Sequence, residues 1–409
     1  MNKVTVIGGG AAGLMAAIAA AQHGAQVCLI EPNERLGKKI NITGKGRCNV
    51  TNDTDLEGLL AHIPRNGRFL YSALSRFTSR DAMAFFEGCG VPLKVERGDR
   101  VFPVSDSSFD ITDALKRQMK ALHIRWIHDC AVAVETEDGR VAAVTGEQGS
   151  YPSDAVIVAT GGMSYPGTGS TGDGYRMAAA WGHTIIEPRG SLVPLVSPDA
   201  CCAQMQGLAL KNVELTVFNR KNKAVFREFG EMLFTHFGVS GPLVLSASAH
   251  LRNWEKDSYR LSIDLKPALD EQKLEARILR DVAENPNRGL DKIIGGLVHR
   301  SMVSVVLDKL DLSAGQKANA LTKEQRRALI ALLKHFPVAV SGTRPVEEAI
   351  VTTGGVKVGE VQPATMESKL LHGLYFAGEV LDVDAYTGGF NLQIAWATGR
   401  QAGRSAAEN

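Results

Sequence analysis

The sequence predicts an α/β fold in which both ends of the chain build one parallel-sheet, dinucleotide-binding domain, interrupted by an antiparallel β barrel-like insertion and a helical subdomain. Three observations predict it. A β-branched run, Val4 to Ile7, enters the glycine cluster Gly8 to Gly13 and then an Ala-rich stretch. Short strand-like segments separated by turns fill the region after about Pro188. Gly-rich, strand-like text returns past Pro345 and closes in a helical pattern over Asn391 to Ala407. The expected boundaries are 1–190 with 343–409 for the dinucleotide domain, 191–268 with 335–342 for the β insertion and 269–334 for the helical subdomain.

The opening reads strand, turn, helix, because Gly13 to His23 has helical spacing, and Ala25 to Ile30 supplies a second buried strand. Such a βαβ unit of about 30 residues implies parallel strands and a right-handed crossover. The stretch Ile40 to Asn52 is rich in Gly, Asn and Thr and is expected to be loop, whereas Gly67 to Gly88 and Asp110 to Leu122 are expected to be helices. Strands follow at Cys130 to Val134, Arg140 to Thr145 and Asp154 to Ala159, the last closed by Thr160-Gly161-Gly162. In the insertion, Leu192 to Val196, Val213 to Phe218, Ala224 to Phe229 and Tyr259 to Leu265 read as strands. The amphipathic patterns at Leu274 to Val282, Leu290 to Leu297, Met302 to Leu310 and Lys323 to Leu333 read as helices.

A chain of 409 residues, 44% hydrophobic and 22% charged with 42 glycines, is globular and rich in tight turns, which excludes fibrous and disordered classes. Its six cysteines form no CxxC pair and no framework, and neither they nor the four tryptophans have metal-ligand spacing, so no metal site is expected. The first apolar stretch is far shorter than the ~20 residues of a membrane span. A cytoplasmic, reducing location with no membrane contact is therefore expected.

Gly8-Gly9-Gly10-Ala11-Ala12-Gly13 fits GxGxxG between a strand and a helix. Gly8 permits the tight turn, Gly10 admits a pyrophosphate to the backbone, and Gly13 packs helix on strand. The helix start, with Ala11 and Ala12, offers N–H groups and partial positive charge to phosphates. Glu31 ends the second strand 18 residues after Gly13, where an acid accepts ribose hydroxyls. The alternative is a turn that merely needs glycines.

The far end selects the dinucleotide. Gly373-Leu374-Tyr375-Phe376-Ala377 reads as a short strand running into Gly378-Glu379, and Gly388-Gly389-Phe390-Asn391 opens the last helix. An acid at that strand end suits a ribityl hydroxyl, and a helix N-terminus stabilises negative charge on a reduced flavin, so the expected cofactor is FAD. Asp382 nearby is read as structural.

With Ala159-Thr160-Gly161, this pairing resembles the glutathione-reductase-type FAD fold. The segments Thr43-Gly44-Lys45-Gly46-Arg47-Cys48-Asn49-Val50-Thr51-Asn52, Thr160 to Pro166, Gly169 to Gly174 and Thr235 to Pro242 narrow the likeness to the YhiN/BaiN-like flavoproteins. Lys45 departs from a glycine common in that family. The resemblance implies an FAD domain with barrel-like and helical insertions, in an NAD(P)H-dependent reductase of carbon–carbon double bonds. Two substrate classes attach to it: uridine in 23S ribosomal RNA, giving dihydrouridine, and unsaturated bile-acid or steroid intermediates. The expected cofactor contacts then also include Arg47, Cys48, Asn49, Val132, Gly389, Phe390, Asn391 and Leu392.

Hydride delivery to an electron-poor alkene leaves the neighbouring carbon needing a proton. Cys48, beside Arg47 in a Gly-rich loop that can tune a thiol, Tyr165 before Pro166, and His236 are the candidate acids. Each has a plain alternative as filler or satisfied loop residue. Arg47 and Asn49 suit a flavin edge or a uracil-like imide, or else pin their own loop. No second GxGxxG occurs in a strand–turn–helix context, so NAD(P)H must visit the flavin directly.

Two segments are basic. Arg35 to Arg80 holds nine Lys/Arg against three acids, and His250 to Pro345 holds seventeen against twelve. Either segment could meet RNA phosphates, or be an ordinary solvated face. The leading expectation is an FAD-dependent reductase of an activated C=C bond, with uridine in ribosomal RNA first and a small enone second. A flavin-binding protein that recognises RNA or a partner without turnover is the reading from another class.

Overall fold

The computed structural model describes residues 1–251, 254 and 258–409. The chain divides into two compact units, Met1–Ser191 with Pro345–Asn409, and Leu192–Arg344.

In the first unit, strand β1 (Lys3–Ile7), helix α1 (Ala11–Gln22) and strand β2 (Gln26–Ile30) form the expected βαβ. β1 lies at the centre of a five-stranded parallel sheet in the order 374–376, 155–158, β1, β2, 125–127. Val4, Val6, Ile7, Val27, Leu29 and Ile30 are all buried, as strands covered on both faces require. The chain leaves β1 toward β2 on one side, while 155–158 adds on the other. The carboxyl end of β1 is therefore a topological switch point, where open α/β sheets bind their ligands.

α1 is buried continuously from Ala12 to Ala20, so it is a core helix and not an amphipathic one. Its Ala-rich surface lets the last helix, Phe390–Ala407, approach closely: a β-carbon on Gly403 would overlap the Ala16 carbonyl. The end of the chain is thereby packed onto its beginning, and Asn2 Nδ2 donates to the Asn409 carbonyl at 2.6 Å.

Three expectations are corrected locally. The presumed loop 40–52 contains a short helix, Lys38–Ile42, and a helical turn, Thr43–Gly46, before a two-residue strand at Thr51–Asn52. The helix over 67–88 is two helices, Gly67–Arg76 and Ser79–Gly88; Thr78 and Asp81 form a capping box that starts the second. The strand expected over 192–196 is Leu195–Val196 alone, because Leu192 is left-handed (φ 54°).

The second unit is a seven-stranded antiparallel sheet in the order 336–339, 259–264, 209–219, 224–235, 238–240, 195–196, 342–343. The two edge strands end and begin three residues apart, a reach of roughly 11 Å, whereas seven flat strands would hold their edges about 29 Å apart. The sheet must curl, which makes it barrel-like. Helices Glu271–Glu284 and Lys323–Lys334 share one hydrophobic core with it, through Leu274, Ile278, Leu329 and Leu333 against Leu261, Ile263 and Phe336.

Candidate active site

Four strand ends converge at the carboxyl edge of the parallel sheet: Gly8 after β1, Glu31 after β2, Thr160-Gly161 after 155–158 and Gly378-Glu379 after 374–376. Gly8 has φ 107°, and a β-carbon on Gly13 would overlap the Gly8 carbonyl, so this turn and its tight helix start need both glycines. Ahead of α1, nothing lies within 4 Å of where a Gly10 side chain would begin. Neither α1 nor the last helix has a side-chain cap or an acid in its first turn. Both N-termini thus keep their partial positive charge for an anion.

Glu31 is buried and accepts from the Gly9 N–H at 2.7 Å, the Asn33 N–H at 2.9 Å and Asn33 Nδ2 at 2.6 Å. These bonds fix its carboxylate beside the glycine turn. Among the buried side-chain atoms of this unit that lack a hydrogen-bond partner within the described residues are Thr160 Oγ1 and Asn49 Oδ1. Orphaned buried polar atoms call for a ligand or water. Open space before an uncapped helix, fixed acids at two strand ends and orphaned acceptors in the neighbouring loops fit a dinucleotide with a sugar-alcohol chain.

The loop 43–52 is tied to the last helix. Trp396 Nε1 donates to the Val50 carbonyl at 2.9 Å, Thr51 Oγ1 to Gln393 Oε1 at 2.8 Å, and Asn52 Nδ2 to the Gly388 carbonyl at 3.1 Å. Gly389 caps that helix at φ 100°. Phe390 is buried and stacks on His62 at 4.2 Å, and Asn391 pins residues 385–386 through both ends of its carboxamide. Leu392 is half-buried on the first turn. Val132 lies apart from the parallel sheet, exposed on strand Ala131–Glu137 of a three-stranded antiparallel sheet.

The candidate acids differ in setting. Cys48 is fully buried, and desolvation pushes its thiol up to about 12. Arg47 does not tune it. Its guanidinium bonds Glu96 at 2.8 Å and Asp106 at 3.1 Å and covers the Phe102 ring at 4.0 Å, and its hydrogen bond holds the Glu96 carboxyl below its ordinary range. Of the two settings open to Cys48, the buried one describes its surroundings. Tyr165 is left-handed (φ 52°) and 37% exposed, its carbonyl bonded by Thr168. His236 belongs to the second unit, exposed in the two-residue turn joining strands Ala224–Thr235 and Gly238–Ser240, with its ring against Phe237.

The basic segment 35–80 is largely engaged internally. Lys38 bonds Asn33 and the Gly167 carbonyl, Lys39 bonds Glu379, Arg65 pairs with buried Asp382 at 2.8 Å, and Arg76 reaches Gln401. Sequence reasoning missed a cluster here. Lys39 Nζ donates to Ser164 Oγ at 2.6 Å and to Glu379 Oε2 at 2.7 Å; Thr352 N–H donates to Glu379 Oε1 at 2.7 Å. Its members are scattered along the chain, and no local spacing could have found them. No described helix is long and apolar enough to cross a membrane.

Residues 2–405 match the family described as HI0933-like protein Rossmann domain. The chain is 31% identical to a 3-dehydro-bile acid delta(4,6)-reductase of Clostridium scindens, covering 100% of both, and 32% identical to a ribosomal RNA dihydrouridine synthase of Escherichia coli, covering 96% of this chain and 95% of that one. In fold it is similar to the 3-ketosteroid-delta4-(5alpha)-dehydrogenase of Rhodococcus jostii RHA1 (TM-score 0.54, 16% identity, 100% and 97% covered). It is likewise similar to the 3-ketosteroid delta1-dehydrogenase of Sterolibacterium denitrificans (TM-score 0.51, 13% identity, 100% of each). The chain belongs to the HI0933-like Rossmann-domain family of FAD-dependent oxidoreductases.

Proposed function

We propose that this protein is an NAD(P)H-fed, FAD-dependent reductase of a C=C bond conjugated to a carbonyl, working in the cytoplasm. The observation that carries the reading is the convergence of four strand ends and the uncapped α1 on one sheet edge, with the uncapped final helix packed along α1. Bound FAD supplies the hydride. Glu31 would take the adenosine ribose, the start of α1 the pyrophosphate, Glu379 the ribityl chain and the start of the last helix the charge that develops on reduction. The two relatives' names point to one chemistry, since a dihydrouridine and a saturated steroid ring both arise by adding hydride and a proton across an activated double bond.

Tyr165 is the residue we assign to the proton. It is 37% exposed, where a substrate can reach its hydroxyl, and it follows the Gly161-Gly162 loop at the sheet edge. Cys48, buried and kept protonated, fits a role in shaping its loop better.

Uridine in ribosomal RNA is the first substrate to test, and a small enone the second, favoured by the relative that spans this chain from end to end. NAD(P)H should bleach the flavin within the time of a turnover, and one of the two substrates should restore the colour. Loss of dihydrouridine from the ribosomal RNA of a deletion strain would support the first, and unchanged content would remove it. Bleaching that takes hours with either substrate would favour a non-catalytic flavoprotein.

A further inference from the structure

Glu379 is held by three segments distant in sequence. Its Oε1 accepts from the Thr352 N–H at 2.7 Å and from Ser164 Oγ at 3.1 Å, and its Oε2 accepts from Lys39 Nζ at 2.7 Å. Thr352 Oγ1 in turn accepts from the Met163 and Ser164 N–H groups at 2.7 and 3.1 Å, so the donors are themselves fixed. A carboxylate has about four acceptor positions. Oε1 is filled by two donors and Oε2 by one, which leaves Oε2 one position for a further hydroxyl. Lys39 and Glu379 are only 23% and 20% exposed, so the pair is shielded enough for its geometry to matter.

We propose that Lys39 is a positioning residue for the cofactor, holding the Glu379 carboxylate, with Ser164 and Thr352, in the orientation that receives a sugar-alcohol hydroxyl of the flavin's ribityl chain. The proposal rests on the FAD reading above. Without the ammonium, Oε2 loses its fixed donor and the side chain can rotate away from the hydroxyl. A positioned acceptor pays no ordering entropy when the ligand arrives.

The test measures FAD affinity of apoprotein by quenching of flavin fluorescence, alongside the melting temperature of the same apoprotein. Lys39→Met should weaken FAD binding by roughly ten- to hundredfold, the usual worth of a hydrogen bond to a charged group. Lys39→Arg should recover most of it. Glu379→Gln should weaken binding too, and the double variant Lys39→Met/Glu379→Gln should be little worse than the weaker single variant, because both act through one carboxylate. Unchanged affinity in Lys39→Met, strictly additive losses in the double variant, or affinity that falls only in step with apoprotein melting would each overturn the proposal. Wild-type protein that takes up no flavin would instead overturn the cofactor reading, and the proposal with it.

Discussion

Gly399 faces the backbone of Ala12 so closely that a β-carbon on it would overlap the Ala12 carbonyl oxygen. This contact locks the last helix onto the first and brings the helix start at Gly389 into the same unit as the glycine turn after β1. Gly399→Val should therefore cost about 2 kcal/mol or more, the usual penalty for overpacking where only backbone can yield. Chemical denaturation measures it. Gly88→Ala, at the open end of helix Ser79–Gly88, should leave stability nearly unchanged.

Trp396 carries a second joint. Trp396→Phe keeps most of the ring volume and leaves the buried Val50 carbonyl without its donor. A loss of roughly 1–3 kcal/mol is expected for that orphaned acceptor. Because the loop 43–52 hangs on this bond, flavin affinity should fall along with stability, read in one denaturation series with and without FAD.

The βαβ opening was legible because its signals are local: a β-branched run in Val4–Ile7, glycines at fixed offsets and an acid ending the next strand. The break at Thr78 was not read, although its T-x-x-D capping signature is present, because apolar spacing continues across it. In the loop 40–52, Gly and Asn composition hides a helical turn that starts after left-handed Gly37. Lys39 entered the sequence reading only as one of nine basic residues. Its partners lie 125 and 340 positions away, and only the fold brings them together.

The cysteines should separate by reactivity. A hydrogen bond from Cys202 lowers the half-buried Cys201 thiol below its ordinary value; burial opposes the shift and Lys309 adds to it. Cys202 and Cys48 are pushed the other way. Near neutral pH, iodoacetamide should label Cys201 first and Cys48 last, and Lys309→Met should slow the labelling of Cys201. Peptide mass spectrometry reads both.

His183 should make stability depend on acidity. It is buried, with Nε2 2.9 Å from Ser368 Oγ and its ring edge-on to Phe376; desolvation lowers its pKa from 6.5 and Glu360 partly opposes this. The unfolded chain therefore binds the proton more readily, so this contribution is complete above about 6.5 and is lost as pH falls from there toward the folded value. Melting temperature should drop on acidification through that window. His183→Gln should flatten the drop.

On the proposed function, the two ends of the chain build one flavin site. Titration of the apoprotein with FAD, followed by flavin fluorescence, tests it directly. Saturation is expected at one FAD per chain, with affinity lost when Gly10 or Gly389, near opposite ends of the sequence, is changed to valine. A titration with no saturable component, or tight binding indifferent to the change at Gly389, would contradict it.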